Sequence, residues 1–173
     1  MRVDRVPCAA RPSVMTDPPD APGLKGEDPL ILQLTLPGEF GAIRGALAQV
    51  MARLDPLELT ADCRSSAELV LAEVLNNVIE HAYADQSGPI GLELRLGADA
   101  LACSVHDTGL PMPDGTPPPS RQALLDVPLE RLPEGGFGWF LIRSLTRDID
   151  YVRAPDGNRL RFLLPLERRT ADP

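Results

Sequence analysis

The chain has 173 residues, which fits one domain with a tail and suffices to bury a hydrophobic core. Acidic residues outnumber basic ones by 25 to 17, and the net charge of −8 argues against direct binding to nucleic acid or to an anionic membrane. The sequence contains no long apolar span, no signal peptide and no CxxC spacing, so we expect a cytoplasmic protein with reduced thiols and no zinc site.

The first part of the chain combines a tail with the beginning of a domain. Residues 1–29 are rich in proline and poor in large apolar side chains, which predicts a disordered tail. A strand at 30–36 follows, and the apolar spacing of 40–54 predicts an amphipathic helix that stops before Pro56. A second helix begins near Thr60 or Asp62 and frays by Ala84. Its apolar stripe is wide enough to be buried and comprises Val70, Leu71, Val74, Leu75, Val78 and Ile79.

Three polar residues lie along one edge of that stripe. Glu73, Asn77 and His81 are spaced four apart, so they stack on one flank of the helix. A carboxylate and an amide one turn apart can orient a water and hold a hard cation such as Mg²⁺. Taken alone, this pattern is more typical of a solvated helix edge.

The second part of the chain predicts a sheet interrupted by a long connection. Alternating segments at 90–96 and 101–105 predict a hairpin through Gly97. The proline-rich stretch 110–134, with room for a short helix at 120–125, has the length of a functional lid. A helix at 138–146 and a second hairpin, 148–153 and 159–166, complete the order β-α-α-β-β-lid-α-β-β. This order favours a two-layer α+β sandwich, with three main helices on one face of a mostly antiparallel sheet.

Three motifs in this order carry a resemblance to a known superfamily. They are E-V-L-N-N-V-I-E-H-A-Y at 73–83, D-T-G at 107–109 and G-G-F-G-W-F-L-I-R-S-L at 135–145. They match the N-box and the two glycine boxes of the GHKL (Bergerat) ATP-binding fold, which gyrase, histidine kinases and the heat-shock chaperone share. Within that superfamily the chain is similar to the RsbW-like anti-sigma-factor serine/threonine-protein kinases. The resemblance implies one domain at 30–167, with an ATP lid at 110–134 and a C-terminal tail at 168–173.

The resemblance also implies roles for individual residues. Glu73 would be the general base, and Asn77 would bind the Mg²⁺ that accompanies ATP. Asp107 would accept a hydrogen bond from the adenine amino group, with Gly109 allowing close approach of the backbone to the base. The remaining cofactor-binding residues would cradle the phosphates at a helix N-terminus; they are Gly135, Gly136, Phe137 and Gly138. His81 could touch the nucleotide, cap the helix end or simply pack.

One departure from the superfamily pattern lies after Gly109. The fuller motif D-x-G-x-G has a second glycine, whereas this chain continues as Leu110-Pro111-Met112-Pro113. Proline restricts the backbone, so we expect a stiffer start to the lid.

The implied function is that of a bacterial partner-switching kinase. It would phosphorylate a small anti-sigma-factor antagonist of the STAS type, sequester a sigma factor and form a homodimer through the first strand and the 40–54 helix. An alternative is a nucleotide-gated protein-binding regulator with little or no phosphotransfer. A third is a pseudo-enzyme that has lost nucleotide binding.

Overall fold

The computed structural model describes residues 28–118 and 137–169. The strands are β1 (Leu30–Pro37), β2 (Pro89–Leu96), β3 (Ala100–Asp107), β4 (Arg147–Ala154) and β5 (Gly157–Pro165). The α-helices are α1 (Phe40–Leu54), α2 (Ala61–Asn77) and α3 (Phe137–Leu145). The element order is the one that the hydrophobic pattern predicts. The short helix predicted at 120–125 lies outside the described residues.

The five strands form one antiparallel sheet in the order β1-β2-β3-β5-β4. Strands β1 and β4 are therefore its edges. The register of β3 with β5 places Asp107, the last residue of β3, opposite Asn158, the second residue of β5. The end of the first predicted hairpin and the turn of the second thus meet at the same end of the sheet.

All three helices pack on one face of the sheet. One buried cluster includes alternate residues of the inner strands together with residues from each helix: Leu92, Leu94, Cys103, Val105, Leu160 and Phe162 with Val50, Leu71, Val74 and Ile142. A separate small cluster on the other face holds Ala100, Ala102 and Leu163. Since successive strand side chains point to opposite faces, the helices cover only one of them. The predicted two-layer α+β sandwich is confirmed.

Helix α2 begins as predicted and ends differently. Its N-cap is Thr60, whose side chain accepts a hydrogen bond from the backbone N–H of Cys63 at 3.3 Å. The sequence predicts a single helix as far as Ala84, but the chain widens into a π-helical turn at Val78–Ala82. There the N–H of Tyr83 donates to Val78 O at 3.0 Å. Widened turns of this kind occur frequently at functional sites.

Backbone bonds tie segments outside the sheet to the domain. At one end, the N–H of Leu96 donates to Pro29 O at 2.9 Å. At the other, Arg168, assigned from the sequence to a C-terminal tail, forms an antiparallel bridge with Leu59. Within the described ranges, every helix is too short or too polar to cross a membrane.

Candidate active site

Two of the predicted motifs meet where α2 packs against α3. Glu73 and Asn77 lie one turn apart on α2, and both are half-buried. Gly138 is the second residue of α3. A β-carbon at position 138 would lie 2.6 Å from Glu73 Oε2 and 3.6 Å from Asn77 Nδ2. The first turn of α3 therefore reaches the acid and the amide because residue 138 has no side chain.

The side chain of Asn77 has a buried polar atom without a partner. Its Nδ2 makes no hydrogen bond to any described residue. An unpaired buried group costs about 1–3 kcal/mol, so its presence points to a bound ligand, ion or water. Turning the amide by 180° places its carbonyl oxygen at the same point, and a neutral carbonyl oxygen is a suitable ligand for Mg²⁺. The residues present thus fit a metal ion beside Glu73.

A metal ion at this point would need further ligands from outside the protein. In the ranges 28–118 and 137–169, no group of three or more His, Cys, Asp or Glu side chains could hold a metal ion. Mg²⁺ in nucleotide sites usually binds through one or two protein oxygens together with phosphates and water. Asn77 is consistent with that pattern.

Asp107 presents a carboxylate at the end of β3. The residue is only 5% exposed. Its Oδ1 accepts hydrogen bonds from the N–H of Gly109 at 2.9 Å and from Nδ2 of Asn158 at 2.7 Å. Both bonds use the same oxygen, and Oδ2 accepts none from the described part of the chain. Asp107 therefore keeps one oxygen to accept a hydrogen bond from a ligand.

The turn after Asp107 is docked onto the end of the Glu73 helix. A β-carbon on Gly109 would overlap Ala82 O, and the next residue, Leu110, donates its N–H to that same oxygen at 2.8 Å. The carbonyl of Ala82 is one that a helix end leaves unpaired. The N–H of Thr108 is held by the hydroxyl of Tyr83 at 3.1 Å. The N-box and the first glycine box are therefore in direct contact.

The hydroxyl of Tyr83 also fixes this junction to the sheet. The hydroxyl donates to Pro89 O at 2.7 Å. The Tyr83 side chain also packs so closely against Gly38 and Gly88 that a β-carbon on either glycine would collide with it. Tyr83 itself is buried. The sequence motif includes this tyrosine, but nothing in its spacing indicates that it holds Thr108.

A hydrogen-bond network that the sequence does not reveal supports Asp107 from β4 and β5. Asn158 donates from Nδ2 to Asp107, and its Oδ1 accepts from the Tyr151 hydroxyl at 2.7 Å and from Arg153 Nη1 at 2.9 Å. Arg153 Nη1 also donates to Gly109 O at 2.9 Å. The Asp156-Gly157 turn predicts the hairpin, but only the pairing of β3 with β5 brings these side chains to Asp107.

The described first part of the lid region, 110–118, is attached to the domain at two places. The Tyr151 hydroxyl accepts a hydrogen bond from the N–H of Met112 at 2.9 Å. Arg143 on α3 donates from Nε to Pro118 O and from Nη2 to Pro117 O, each at 2.9 Å. Arg143 thus links the helix that follows the lid to the first part of the lid.

Four further predicted site residues have no described contact with these groups. His81 lies in the π-helical turn, and its exposed side chain makes no hydrogen bond within the described residues. Phe137 is the first residue of α3 and is exposed. Gly135 and Gly136 lie outside the described residues. The roles of these four residues stay predictions.

The cysteine thiols of the described domain are placed for packing. Cys63 and Cys103 are both buried and free. Burial raises the pKa of the Cys103 thiol far above its usual range, because the charged thiolate would lose its hydration. Cys103 is therefore unreactive in the folded protein.

The fold and the motif contacts define a class of protein. The sequence model of the family described as the histidine kinase-like ATPase domain matches residues 36–164 of this chain. The chain therefore belongs to the histidine kinase-like ATPase domain family. That range includes all three motifs and the whole sheet except Pro165 and the first six residues of β1.

Individual curated relatives show which members of this family the chain resembles. The serine-protein kinase RsbW of Halalkalibacterium halodurans is 29% identical over 134 residues, which cover 73% of this chain and 78% of that protein. Serine-protein kinase RsbW of Bacillus cereus strain AH187 is 33% identical over 87 residues, or 49% of this chain and 54% of the relative. Serine-protein kinase RsbW of Bacillus mycoides is 32% identical over 93 residues, 53% and 58% respectively. The chain spans little more than half the length of the latter two.

Proposed function

We propose that this protein is an ATP-dependent serine/threonine protein kinase that also acts as an anti-sigma regulatory factor. Its substrate would be a serine or threonine on a small STAS-type anti-sigma-factor antagonist. The observation that carries the proposal is the meeting of Glu73 and Asn77 with Gly138 in one place. An acid, an amide oxygen and the open backbone of a helix start are the groups that phosphoryl transfer requires. The similarity to serine-protein kinases supports the same function.

In this proposal each group has one task. Glu73 accepts the proton of the substrate hydroxyl while the hydroxyl oxygen attacks the γ-phosphorus of ATP; the bond from that phosphorus to the β,γ-bridging oxygen breaks, and ADP leaves. Asn77 binds Mg²⁺, which offsets negative charge on the phosphates when bound. The N–H groups at the start of α3, with Gly135 and Gly136 preceding it, bind phosphate oxygens with help from the helix dipole. Asp107 accepts from the adenine amino group, and Gly109 lets the turn lie close to the base.

The proposed partners need surfaces away from this pocket. We propose a homodimer formed through β1 and α1, acting in the cytoplasm on a sigma factor and its antagonist. Strand β1 is an edge of the sheet, so its outer backbone groups are available for pairing. Leu30 on β1 and Phe40 at the start of α1 are both exposed large apolar residues. Exposed apolar surface beside an unpaired strand edge supports an interface there.

The decisive test is phosphate transfer from radiolabelled ATP to the antagonist encoded nearest to this gene. We expect transfer by the wild type and a loss of about 100-fold or more for Glu73→Gln, since general-base catalysis contributes about that much. Glu80→Gln is the matched control, because Glu80 lies on the adjoining π-helical turn and is exposed. No transfer by the wild type, or equal transfer by Glu73→Gln, would contradict the kinase proposal.

A second candidate is the nucleotide-gated binding regulator without phosphotransfer. It is favoured by the bond from the N–H of Met112 to the Tyr151 hydroxyl and by the bonds from Arg143 to the carbonyls of Pro117 and Pro118, because they restrain the first part of the lid. Under this alternative, ATP recovered after long incubation with the antagonist is intact. Capture of the sigma factor or antagonist on beads nevertheless depends on Mg-ATP.

A further inference from the structure

Asn158 is a buried residue whose side chain makes hydrogen bonds at both ends, one of them to Asp107. It is 3% exposed. Its Nδ2 donates to Asp107 Oδ1 at 2.7 Å and to Leu110 O at 2.9 Å, with a longer contact of 3.4 Å to Gly109 O. Its Oδ1 accepts from the Tyr151 hydroxyl and from Arg153 Nη1. A buried amide with both ends bonded is a rigid element.

The orientation of this amide is determined by its neighbours. Arg153 can only donate a hydrogen bond, so the atom that faces it must be the carbonyl oxygen of Asn158. The backbone carbonyl of Leu110 can only accept, so the atom that faces it and Asp107 must be the amide nitrogen. Turning the amide by 180° would place two donors together and two acceptors together. The network therefore has one arrangement.

This arrangement decides which oxygen of Asp107 is available. Asn158 and the N–H of Gly109 both bind Oδ1, and together they fix the plane of the carboxylate. The other oxygen, Oδ2, then lies at one fixed point. A fixed acceptor suits a ligand that donates a hydrogen bond at one matching point and rejects a ligand with an acceptor there.

We propose, on the basis of the ATP site proposed above, that Asn158 is the positioning residue that sets base specificity. Held by Tyr151 and Arg153, it keeps Asp107 aligned for a purine that carries an amino group at C6. A purine with an oxo group at C6 places an acceptor against the carboxylate and binds more weakly. Once Asn158 is lost, the carboxylate can turn to meet the N1–H of the oxo purine, so the preference declines.

The same network reaches the start of the lid. The hydroxyl that donates to Asn158 also accepts the N–H of Met112, while Nδ2 of Asn158 donates to Leu110 O. Two of the residues that replace the second glycine of the motif, Leu110 and Met112, are thereby bonded to the network that holds Asp107. Base recognition and the position of the lid segment consequently depend on one amide.

The test compares binding of Mg-ATP and Mg-ITP, which differ at C6 of the base, by titration calorimetry on the full chain. We expect the wild type to prefer ATP and Asn158→Ala to lose about tenfold or more of that preference, mainly through weaker ATP binding. Phe162→Leu is the matched control, because Phe162 is buried on the same strand but pairs with Cys103, away from Asp107. It should lower the melting temperature and leave the preference unchanged.

A second variant keeps Asn158 in place. Tyr151→Phe combined with Arg153→Met removes both donors to Oδ1, and Arg153 is exposed, so we expect this variant to fold. The preference of this double variant for ATP over ITP should fall as well. If Asn158→Ala does not fold, the double variant alone tests the role of Asn158. An unchanged preference in the folded variants, or an equal loss of affinity for both nucleotides, would overturn the proposed role of Asn158 but not the proposed ATP site. A wild type that binds neither nucleotide would overturn the proposed ATP site and this role together.

Discussion

Replacing Gly138 by alanine tests the candidate site, because the change should affect the affinity for Mg-ATP much more than the stability of the domain. The added methyl group would lie 2.6 Å from Glu73 Oε2, which is closer than van der Waals contact allows. That oxygen is at the end of a flexible side chain, so the carboxylate can turn away. An off-rotamer Glu73 costs about 0.5–1.5 kcal/mol, whereas alanine in a helix gains about 0.5–1 kcal/mol over glycine. We therefore expect the free energy of unfolding to change by less than about 1 kcal/mol.

Binding and catalysis should change much more than stability. The methyl group occupies the space where the backbone of α3 reaches Glu73 and Asn77, so phosphate approach and carboxylate position are both disturbed. We expect Mg-ATP affinity to fall about tenfold or more, equivalent to about 1.4 kcal/mol, and phosphate transfer to fall further. Calorimetric titration measures the affinity for Mg-ATP, and thermal unfolding measures the stability.

The matched control for this prediction is Gly45→Ala in α1. A β-carbon on Gly45 meets nothing within 4 Å, so the change should raise stability by about 1 kcal/mol and leave Mg-ATP affinity unchanged. Wild-type affinity in Gly138→Ala would refute the reasoning, because the contact with Glu73 and Asn77 would then have no bearing on nucleotide binding. Equal losses of Mg-ATP affinity in Gly138→Ala and Gly45→Ala would refute it too.

Three further predictions concern the surroundings of the site. Gly157→Ala should destabilise the domain by more than about 2 kcal/mol in urea unfolding, because residue 157 has φ +144 and its β-carbon would overlap Asp107 O; wild-type stability would contradict this. Tyr83→Phe removes the bonds to Pro89 O and to the N–H of Thr108, so we expect a loss of about 1–3 kcal/mol by the same measurement, and a neutral effect would argue against this anchor. The raised pKa of Cys103 keeps its thiol protonated well above pH 8, so peptide mass spectrometry should find it unalkylated by iodoacetamide until the protein unfolds; alkylation of the folded protein would show that the thiol is accessible.

The hydrophobic period of the sequence was sufficient to predict the elements and their layering. Strands with period two and helices with period 3.6 can bury their apolar residues together in few ways, and a two-layer sandwich is one of them. The end of α2 is the exception. Its apolar stripe continues through Val78 and Ile79, so the pattern alone cannot indicate that the chain changes to a π-helical turn before Tyr83.

The sequence by itself determined the sheet, the helical layer and the residue types that a nucleotide site needs, because periodicity and glycine spacing are local properties of the chain. Only the tertiary structure decided that Gly138 lies beside Glu73 and Asn77, that Gly109 lies on Ala82 and that Asn158 holds Asp107. These contacts join segments far apart in the chain. They depend on strand register and helix packing, which no local pattern specifies.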